Sequence, residues 1–345
     1  MRTGGDHVGR FDGFWQDRSV AITGAGGFVA SWLSKALIEL GASVVGIVRD
    51  SAGDHLLDRM GVRSELNIVH GSITDLPLVE RVLNEYEVDT CFHLAAQAIV
   101  GAANRSPLST FESNIKGTWN VLEAARTSPS VRAVVVASSD KAYGDQPTLP
   151  YREDLELRGR YPYDASKVCA EVLARCFVAT YDAPVSVLRC ANTYGGGDLN
   201  WSRLIPGTIR SILRGEEPVI RSDGTLERDY LFVEDAIRAY LLIGMHATDD
   251  GVRGEAFNFG TGHPVSVIDL VRKILFDAGS DLQPLVLGPA KGEIDRQYLD
   301  STLARTTFGW ESEVDLDQGL ARTIAWYSAY LGLPVAVRAE LTSGR

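Results

Sequence analysis

The sequence predicts an α/β protein: a doubly wound parallel sheet followed by a smaller C-terminal lobe. Three observations carry this prediction. Short apolar runs bounded by turn residues alternate with helix-like patterns. The first run passes through Gly24-Ala25-Gly26-Gly27 straight into a helix pattern. The alternation then stops near residue 191, where glycine-rich loops and recurring arginines take over. The expected division is a dinucleotide-binding (Rossmann) domain over 14–191 and a mainly substrate-binding lobe over 192–335, some of whose segments return to the first domain.

At 345 residues the chain is long enough for a large α/β domain and a lobe. Its 45% hydrophobic and 23% charged residues are an ordinary globular balance. A net charge of −11 argues against broad nucleic-acid or anionic-membrane binding, while leaving room for a local basic pocket that takes a phosphate. No apolar run approaches a membrane span. The polar, glycine-rich stretch 1–13 is unlike a signal peptide and is expected to be a loose tail. Cys91, Cys169, Cys176 and Cys190 form no Cys-x-x-Cys pair and read as buried, inert thiols. The six histidines lack metal-ligand spacing, so no metal is expected. A cytoplasmic enzyme fits these features.

Residues 19–23 read as the first strand, and a helix pattern follows over 31–40 and stops at Gly41, a natural C-terminal cap. Gly24 and Gly27 let the backbone approach a pyrophosphate, whose charge a helix N-terminus favours. Ala30 is small enough for close helix–strand packing. The same segment also reads as a glycine-rich turn with no ligand. The second strand, 43–48, ends in Arg49-Asp50. Asp50 stands where an acidic residue meets the adenosine ribose and favours NAD; Arg49 facing a 2′-phosphate keeps NADP open, and either residue also suits a helix cap.

Strand 66–69 and helix 78–86 continue the alternation. Asp75 between them serves equally as an adenine partner or as a helix N-cap. Strand 89–93 ends in Leu94-Ala95-Ala96-Gln97, whose small residues let a flat ring or ribose lie against the chain. His93 reads as a packed structural histidine. One long helix is expected over 108–126; Asn114 and Gly117 inside it have poor helix propensity, which points to tight packing beside a site.

The central apolar run, 131–137, leads into Ser138-Ser139-Asp140-Lys141, at the end of a strand where open α/β sheets place their chemistry. After a turn-rich loop over 143–160, helix 161–181 opens with Tyr163-x-x-x-Lys167. Four-residue spacing puts phenol and ammonium on one face. The cation favours the phenolate, so Tyr163 could accept a hydroxyl proton near neutral pH, although the spacing also occurs by chance. Strand 185–189 is the sixth. Beyond it come Asn192, the loop Gly195-Gly196-Gly197-Asp198, Arg203-Leu204 opening an amphipathic helix to Leu213, then Arg221 and Arg228-Asp229-Tyr230. Arginines recurring in an acidic chain suggest capture of a diphosphate; each alone is equally a solvated surface residue. Residues 255–259 and helices near 267–278 and 317–331 are expected to complete the lobe.

In this order, Thr23-Gly24-Ala25-Gly26-Gly27-Phe28, His93-Leu94-Ala95-Ala96-Gln97, Asn114, Tyr163-x-x-x-Lys167, Asn192 and Arg228-Asp229-Tyr230 resemble the extended short-chain dehydrogenase/reductase family. The resemblance spans roughly 14–331 and is to its nucleotide-sugar epimerases and dehydratases. Phe14-Trp15-Gln16, Ser31-Trp32-Leu33-Ser34, Ser138-Ser139-Asp140-Lys141 and Gly195-Gly196-Gly197-Asp198 are similar to the CDP-glucose 4,6-dehydratase subgroup. Ala30 replaces the usual third glycine, and 227–235 is more similar to general epimerases and thymidine-linked dehydratases.

The resemblance implies NAD held by Gly24, Gly27, Phe28, Val29, Asp50, Ile73, Asp75, Leu94, Ala95, Ala96, Tyr163 and Lys167. It implies a nucleotide-diphosphate sugar held by Gln97, Asn114, Asn192, Arg203, Leu204, Arg221 and Arg228. Tyr163 would deprotonate the sugar 4-hydroxyl, with Lys167 lowering the phenol pKa and Ser139 hydrogen-bonding the oxygen. Lys141, which must shed its own proton to serve, would remove the C5 proton, and Asp140 would protonate the departing 6-hydroxyl. The runner-up is a 4-epimerase acting on a UDP-hexose or UDP-hexuronate, with Asp140 and Lys141 structural. A non-catalytic dinucleotide-binding sensor is a third reading. Family members pair as homodimers through two long helices, here 108–126 and 161–181.

Overall fold

The computed structural model describes residues 11, 13–50, 56–289 and 293–334. The expected loose tail therefore lies outside the described residues, except for Phe11 and Gly13; Phe11 is buried. The chain divides into two compact units, one of residues 1–146, 153–189 and 237–257, the other of 147–152, 190–236 and 258–345.

The first unit is built on strands β1 (Ser19–Thr23), β2 (Ser43–Val48), β3 (Leu66–His70), β4 (Thr90–His93), β5 (Ala133–Ser139) and β6 (Val185–Cys190). The sheet order is Ala256–Phe259, β6, β5, β4, β1, β2, β3. Pairing from β3 through β2, β1 and β4 to β5 is parallel. Such strands are buried on both faces, which is why they read as continuous apolar runs. Residues 255–259, expected in the lobe, instead supply the seventh strand, since an edge strand joins its sheet by non-local hydrogen bonds: Val187 N–H donates to Glu255 O at 2.9 Å. The order reverses between β1 and β4, and Thr23 sits opposite His93. The segments leaving these two strands therefore flank the crevice at the switch point.

The first helix runs Phe28–Glu39, three residues earlier than its pattern suggested. Its N-cap is Gly27 in extended conformation, with no capping side chain to announce it. The long helix expected over 108–126 is broken: Pro107–Phe111 gives way to a π-turn at Glu112–Lys116, and only then to the α-helix Gly117–Thr127. A short helix, Val100–Arg105, precedes them. The helix Leu76–Glu85 buries Val79 and Val82, and Gly117–Thr127 buries Val121 and Leu122, in one core cluster with Val45 and Val134 of the sheet. On the other side Trp15, Phe92 and Tyr240 form an aromatic row with centroids 5.8 and 6.3 Å apart. Gly244 leaves the room for it, since a Cβ there would stand 2.7 Å from the Phe92 ring. The thiols depart from expectation: only Cys91 is buried, its thiol pushed up to about 12 by burial, whereas Cys176 is exposed.

In the second unit, Asn192–Tyr194 pairs in parallel with Tyr230–Phe232, and Glu227–Arg228 lies between Val265–Ser266 and Arg296–Gln297. Asp229 organises the turns around them. Its carboxylate accepts from Thr261 N and Oγ1 at 3.0 and 2.6 Å, Gly262 N at 3.1 Å and Leu299 N at 3.4 Å. Burial pushes its pKa up, and these donors oppose that. Asp235 likewise receives the amides of Glu313 and Val314, both at 3.1 Å. Among the described residues no helix is long and apolar enough to cross a membrane.

Candidate active site

The cradle at the end of β1 requires glycine. Gly24 has φ +72°, and a Cβ there would lie 2.8 Å from the Ala95 Cα. The Gly24 and Ala25 amides are anchored on Ile47 O of β2 at 2.8 and 3.3 Å, so the turn is pinned to the sheet. Phe28 and Val29 open the helix half-buried, with no acidic residue in its first turn. Such an N-terminus, uncapped by side chains, favours an anion. Leu94, Ala95 and Ala96 are half-buried alongside.

At the end of β2, Arg49 and Asp50 are exposed and pair with each other at 2.7 Å. Asp75 acts as the helix N-cap, accepting from Leu78 N at 3.3 Å. Ile73, expected beside a cofactor, is a buried residue, 6% exposed. Its carbonyl accepts from Asn120 Nδ2 at 3.0 Å, and Gly117 passes close over its side chain.

His93 is packed, as its sequence context suggested. Thr23 Oγ1 lies 2.8 Å from Nδ1, and Thr118 Oγ1 lies 3.0 Å from Nε2. Thr118 gives its proton to Asn114 O at 2.6 Å, and Thr23 already accepts from Ala95 N at 3.1 Å. The ring is thus neutral with the proton on Nε2, donating to Thr118 and accepting from Thr23. Burial, with Lys167 adding to it, lowers its pKa to about 3.

Asn114, expected at the substrate, is buried and hydrogen-bonded to protein. Its Oδ1 accepts from Gln97 N at 2.7 Å, and its Nδ2 donates to Gln97 O at 3.2 Å and Ser166 Oγ at 2.9 Å. Ser166 in turn donates to Tyr163 O at 2.6 Å. Asn114 therefore joins the Gln97 loop to the first turn of the Tyr163 helix. The π-turn that carries it is a common device at functional sites.

At the end of β5, Ser139 Oγ donates to Asp140 Oδ1 at 2.9 Å and accepts from Lys141 N at 3.3 Å. Asp140 is 1% exposed and its other oxygen, Oδ2, has no protein partner. Helix Pro162–Tyr181 presents Tyr163 and Lys167 on one buried face, with Nζ 5.9 Å from the phenol ring centroid. Lys167 Nζ donates to Ala137 O of β5 at 2.6 Å. Burial lowers the Lys167 pKa to about 8, with Glu171 opposing the shift.

One turn further, Glu171 and Arg189 form a wholly buried ion pair at 2.6 Å, which the sequence reading missed. The available signal was charge where none belongs: an arginine inside an apolar strand and a glutamate in phase with Tyr163 and Lys167.

In the second unit, Asn192 Nδ2 donates to Asp229 O at 3.2 Å, and Arg203, half-exposed beside Leu204 at a helix start, pairs with Asp198 at 2.9 Å. Arg221 is exposed. Arg228, expected to hold the sugar and diphosphate, is tied to its neighbours. It is 7% exposed and gives its guanidinium to Glu227 O at 2.9 Å, Asp295 O at 3.3 Å and the Glu293 carboxylate at 3.1 Å.

A doubly wound sheet with a glycine cradle at its switch point, and a Tyr-x-x-x-Lys face tied to the neighbouring strand end, defines a dinucleotide-dependent α/β enzyme. Residues 20–260 match the NAD dependent epimerase/dehydratase family, and the chain belongs to it. It is 30% identical to the CDP-glucose 4,6-dehydratase of Salmonella typhimurium, with 92% of each chain covered. It is 32% identical to the UDP-glucose 4-epimerase of Mycolicibacterium smegmatis, covering 89% of this chain and 97% of that one. Among solved structures it matches the dTDP-glucose 4,6-dehydratase of Streptomyces venezuelae, crystallised with NAD, at TM-score 0.83 and 28% identity, over 91% of this chain and 98% of that one.

Proposed function

We propose that the protein is an NAD-dependent nucleotide-diphosphate-hexose 4,6-dehydratase, similar to those acting on CDP-glucose, that forms a 4-keto-6-deoxy sugar. The carrying observation is the Ser139-Asp140 pair: a buried carboxyl group whose second oxygen has no protein partner, hydrogen-bonded to the hydroxyl that would bind the sugar oxygen. An epimerase has no need of an acid there.

The cradle fits a dinucleotide: Gly24 excludes a side chain where the pyrophosphate would approach, and the helix N-terminus is free of carboxylates. Asp50 and Asp75 would hold the adenosine end, and the half-buried Leu94, Ala95 and Ala96 the flat groups. When bound, NAD supplies a hydride acceptor at sugar C4 and a hydride donor at C6. Tyr163 Oη takes the 4-hydroxyl proton, with Lys167 orienting the phenol side and Ser139 Oγ holding the oxygen. The 4-ketone acidifies C5–H; Lys141 Nζ removes that proton, Asp140 delivers one to the departing 6-oxygen, and Lys141 returns its proton to C5 as C6 is reduced. Gln97 and Asn114 of the first unit, and Asn192, Arg203, Leu204, Arg221 and Arg228 of the second, are the proposed substrate contacts.

The second reading, a 4-epimerase, is favoured by the 32% identity to the mycobacterial UDP-glucose 4-epimerase. It uses Tyr163 and Lys167 alike but needs no elimination. Incubation with CDP-, dTDP-, UDP- and GDP-hexoses followed by mass spectrometry separates the two. Loss of one water supports the dehydratase, an isomer of unchanged mass supports the epimerase, and inertness with every donor overturns both.

The same reading includes a cytoplasmic setting, which the four free thiols favour. It also includes a homodimer: Leu108, Trp119, Val172 and Tyr181 stand exposed on the two helical segments that a second copy would cover.

A further inference from the structure

We infer that the buried Glu171–Arg189 ion pair is a positioning device that holds the Ser139-Asp140-Lys141 turn in register with Tyr163 and Lys167. The inference rests on the reading of those five residues given above and assigns a role to two residues outside them.

Both side chains are wholly buried. An ion pair at that depth loses the hydration of two charges and is a weak device for stability alone. It persists where further hydrogen bonds complete both groups, and here those bonds go to specific places. The Glu171 carboxylate accepts from Arg189 Nε at 3.1 Å and Nη2 at 2.6 Å, and also from the Ser138 hydroxyl. Arg189 Nη1 donates to Tyr143 Oη at 2.6 Å and Glu153 O at 3.3 Å, with the guanidinium 4.7 Å from the Tyr143 ring centroid.

Ser138 and Tyr143 bracket the candidate catalytic turn. Ser138 immediately precedes Ser139, and Tyr143 closes the 3-10 turn Asp140–Tyr143. Both ends of the turn are thus tied to a single buried pair. Glu171 follows Lys167 by four residues and Tyr163 by eight, so the pair is anchored on the helix face that carries phenol and ammonium. A shift of the turn relative to that helix would break a bond to a buried charge, which is far more costly than breaking one at the surface. Stability alone would not require the ties to land on these two flanking residues.

The test leaves the ion pair intact and removes only the ties, in the full chain loaded with NAD, as Ser138→Ala combined with Tyr143→Phe. CDP-glucose, dTDP-glucose and UDP-glucose are each assayed with parent and variant. We expect kcat to fall about tenfold to a hundredfold, as for a reacting group displaced by about an ångström. KM and bound NAD should stay within about twofold, a split that marks lost transition-state positioning. Amide hydrogen exchange over 139–143 should rise about tenfold, with 185–189 unchanged. Ser138→Thr, which keeps the hydroxyl, should restore turnover when paired with native Tyr143. Unchanged exchange, or turnover within about twofold of an active parent, overturns the inference. A parent inert on all three sugars counts against the dehydratase reading, and the exchange result then decides the positioning claim by itself.

Discussion

Lys167 donates from Nζ to the main-chain carbonyl of Ala137 at 2.6 Å, so the helix that carries Tyr163 is bonded to the strand that carries Ser139. This bond holds a lysine in a buried place. Burial depresses its pKa from 10.5 to about 8, and Glu171 offsets only part of the effect. Between those values the unfolded chain binds more protons than the folded one, so the stability Lys167 contributes rises with pH there and is lost as pH falls through about 8. Lys167→Met should abolish this rise. Chemical denaturation of parent and variant from pH 7 to 10.5 should show the parent gaining on the variant, by at most on the order of 3 kcal/mol. Parallel curves would refute the depressed lysine.

His93 is held neutral between Thr23 and Thr118. Its folded pKa of about 3 lies below the ordinary 6.5, so the stability it contributes is full above 6.5 and is lost as pH falls toward about 3. Nitrogen NMR of the ring should show an unchanged Nε2–H tautomer from pH 5 to 8. A titration within that range would contradict the packed role.

Gly24 is required twice over, by its positive φ and by the Cα of Ala95. Gly24→Ala should lower stability by about 1–3 kcal/mol and reduce the NAD carried through purification. Thermal melting and the absorbance of released nucleotide measure both. Full NAD content in this variant would remove the cradle from the account.

Asp140 keeps one oxygen without a protein partner. Asp140→Asn should retain NAD and lower water elimination about a hundredfold to ten-thousandfold, the usual worth of a positioned acid. Undiminished elimination in a product assay would take the acid role from Asp140.

Much of this architecture is legible in the chain because it is local. The apolar run 19–23 and the run 43–48 are β1 and β2 to the residue, since both are bounded by turn residues on either side. What escaped depends on contacts between distant segments. Ala256–Phe259 looks like any short apolar run until β6 pairs with it. The π-turn at Glu112–Lys116 follows no side-chain period that a helix search detects. The helix Val233–His246 went unread because it follows the strand Tyr230–Phe232 with no intervening turn signal. In the site, residue type pointed to the right neighbourhood but not to the partner. The hydrogen bonds of Asn114 to Gln97 and of Arg228 to Glu293 join segments far apart in the chain, which no spacing announces. The capping bond of Asp75 to Leu78 is visible only in the structure, because the spacing offered a cap and an adenine partner equally.

The central claim is that a hydride leaves C4 of a bound sugar opposite the Tyr163 phenol and returns to C6 of the same molecule. A nucleotide-glucose carrying deuterium at C4, converted by the enzyme and read by NMR and mass spectrometry, tests this most directly. The label is expected at C6 of a 4-keto-6-deoxy product. Deuterium still at C4 after turnover, or a dehydrated product that has lost the label to solvent, would contradict it.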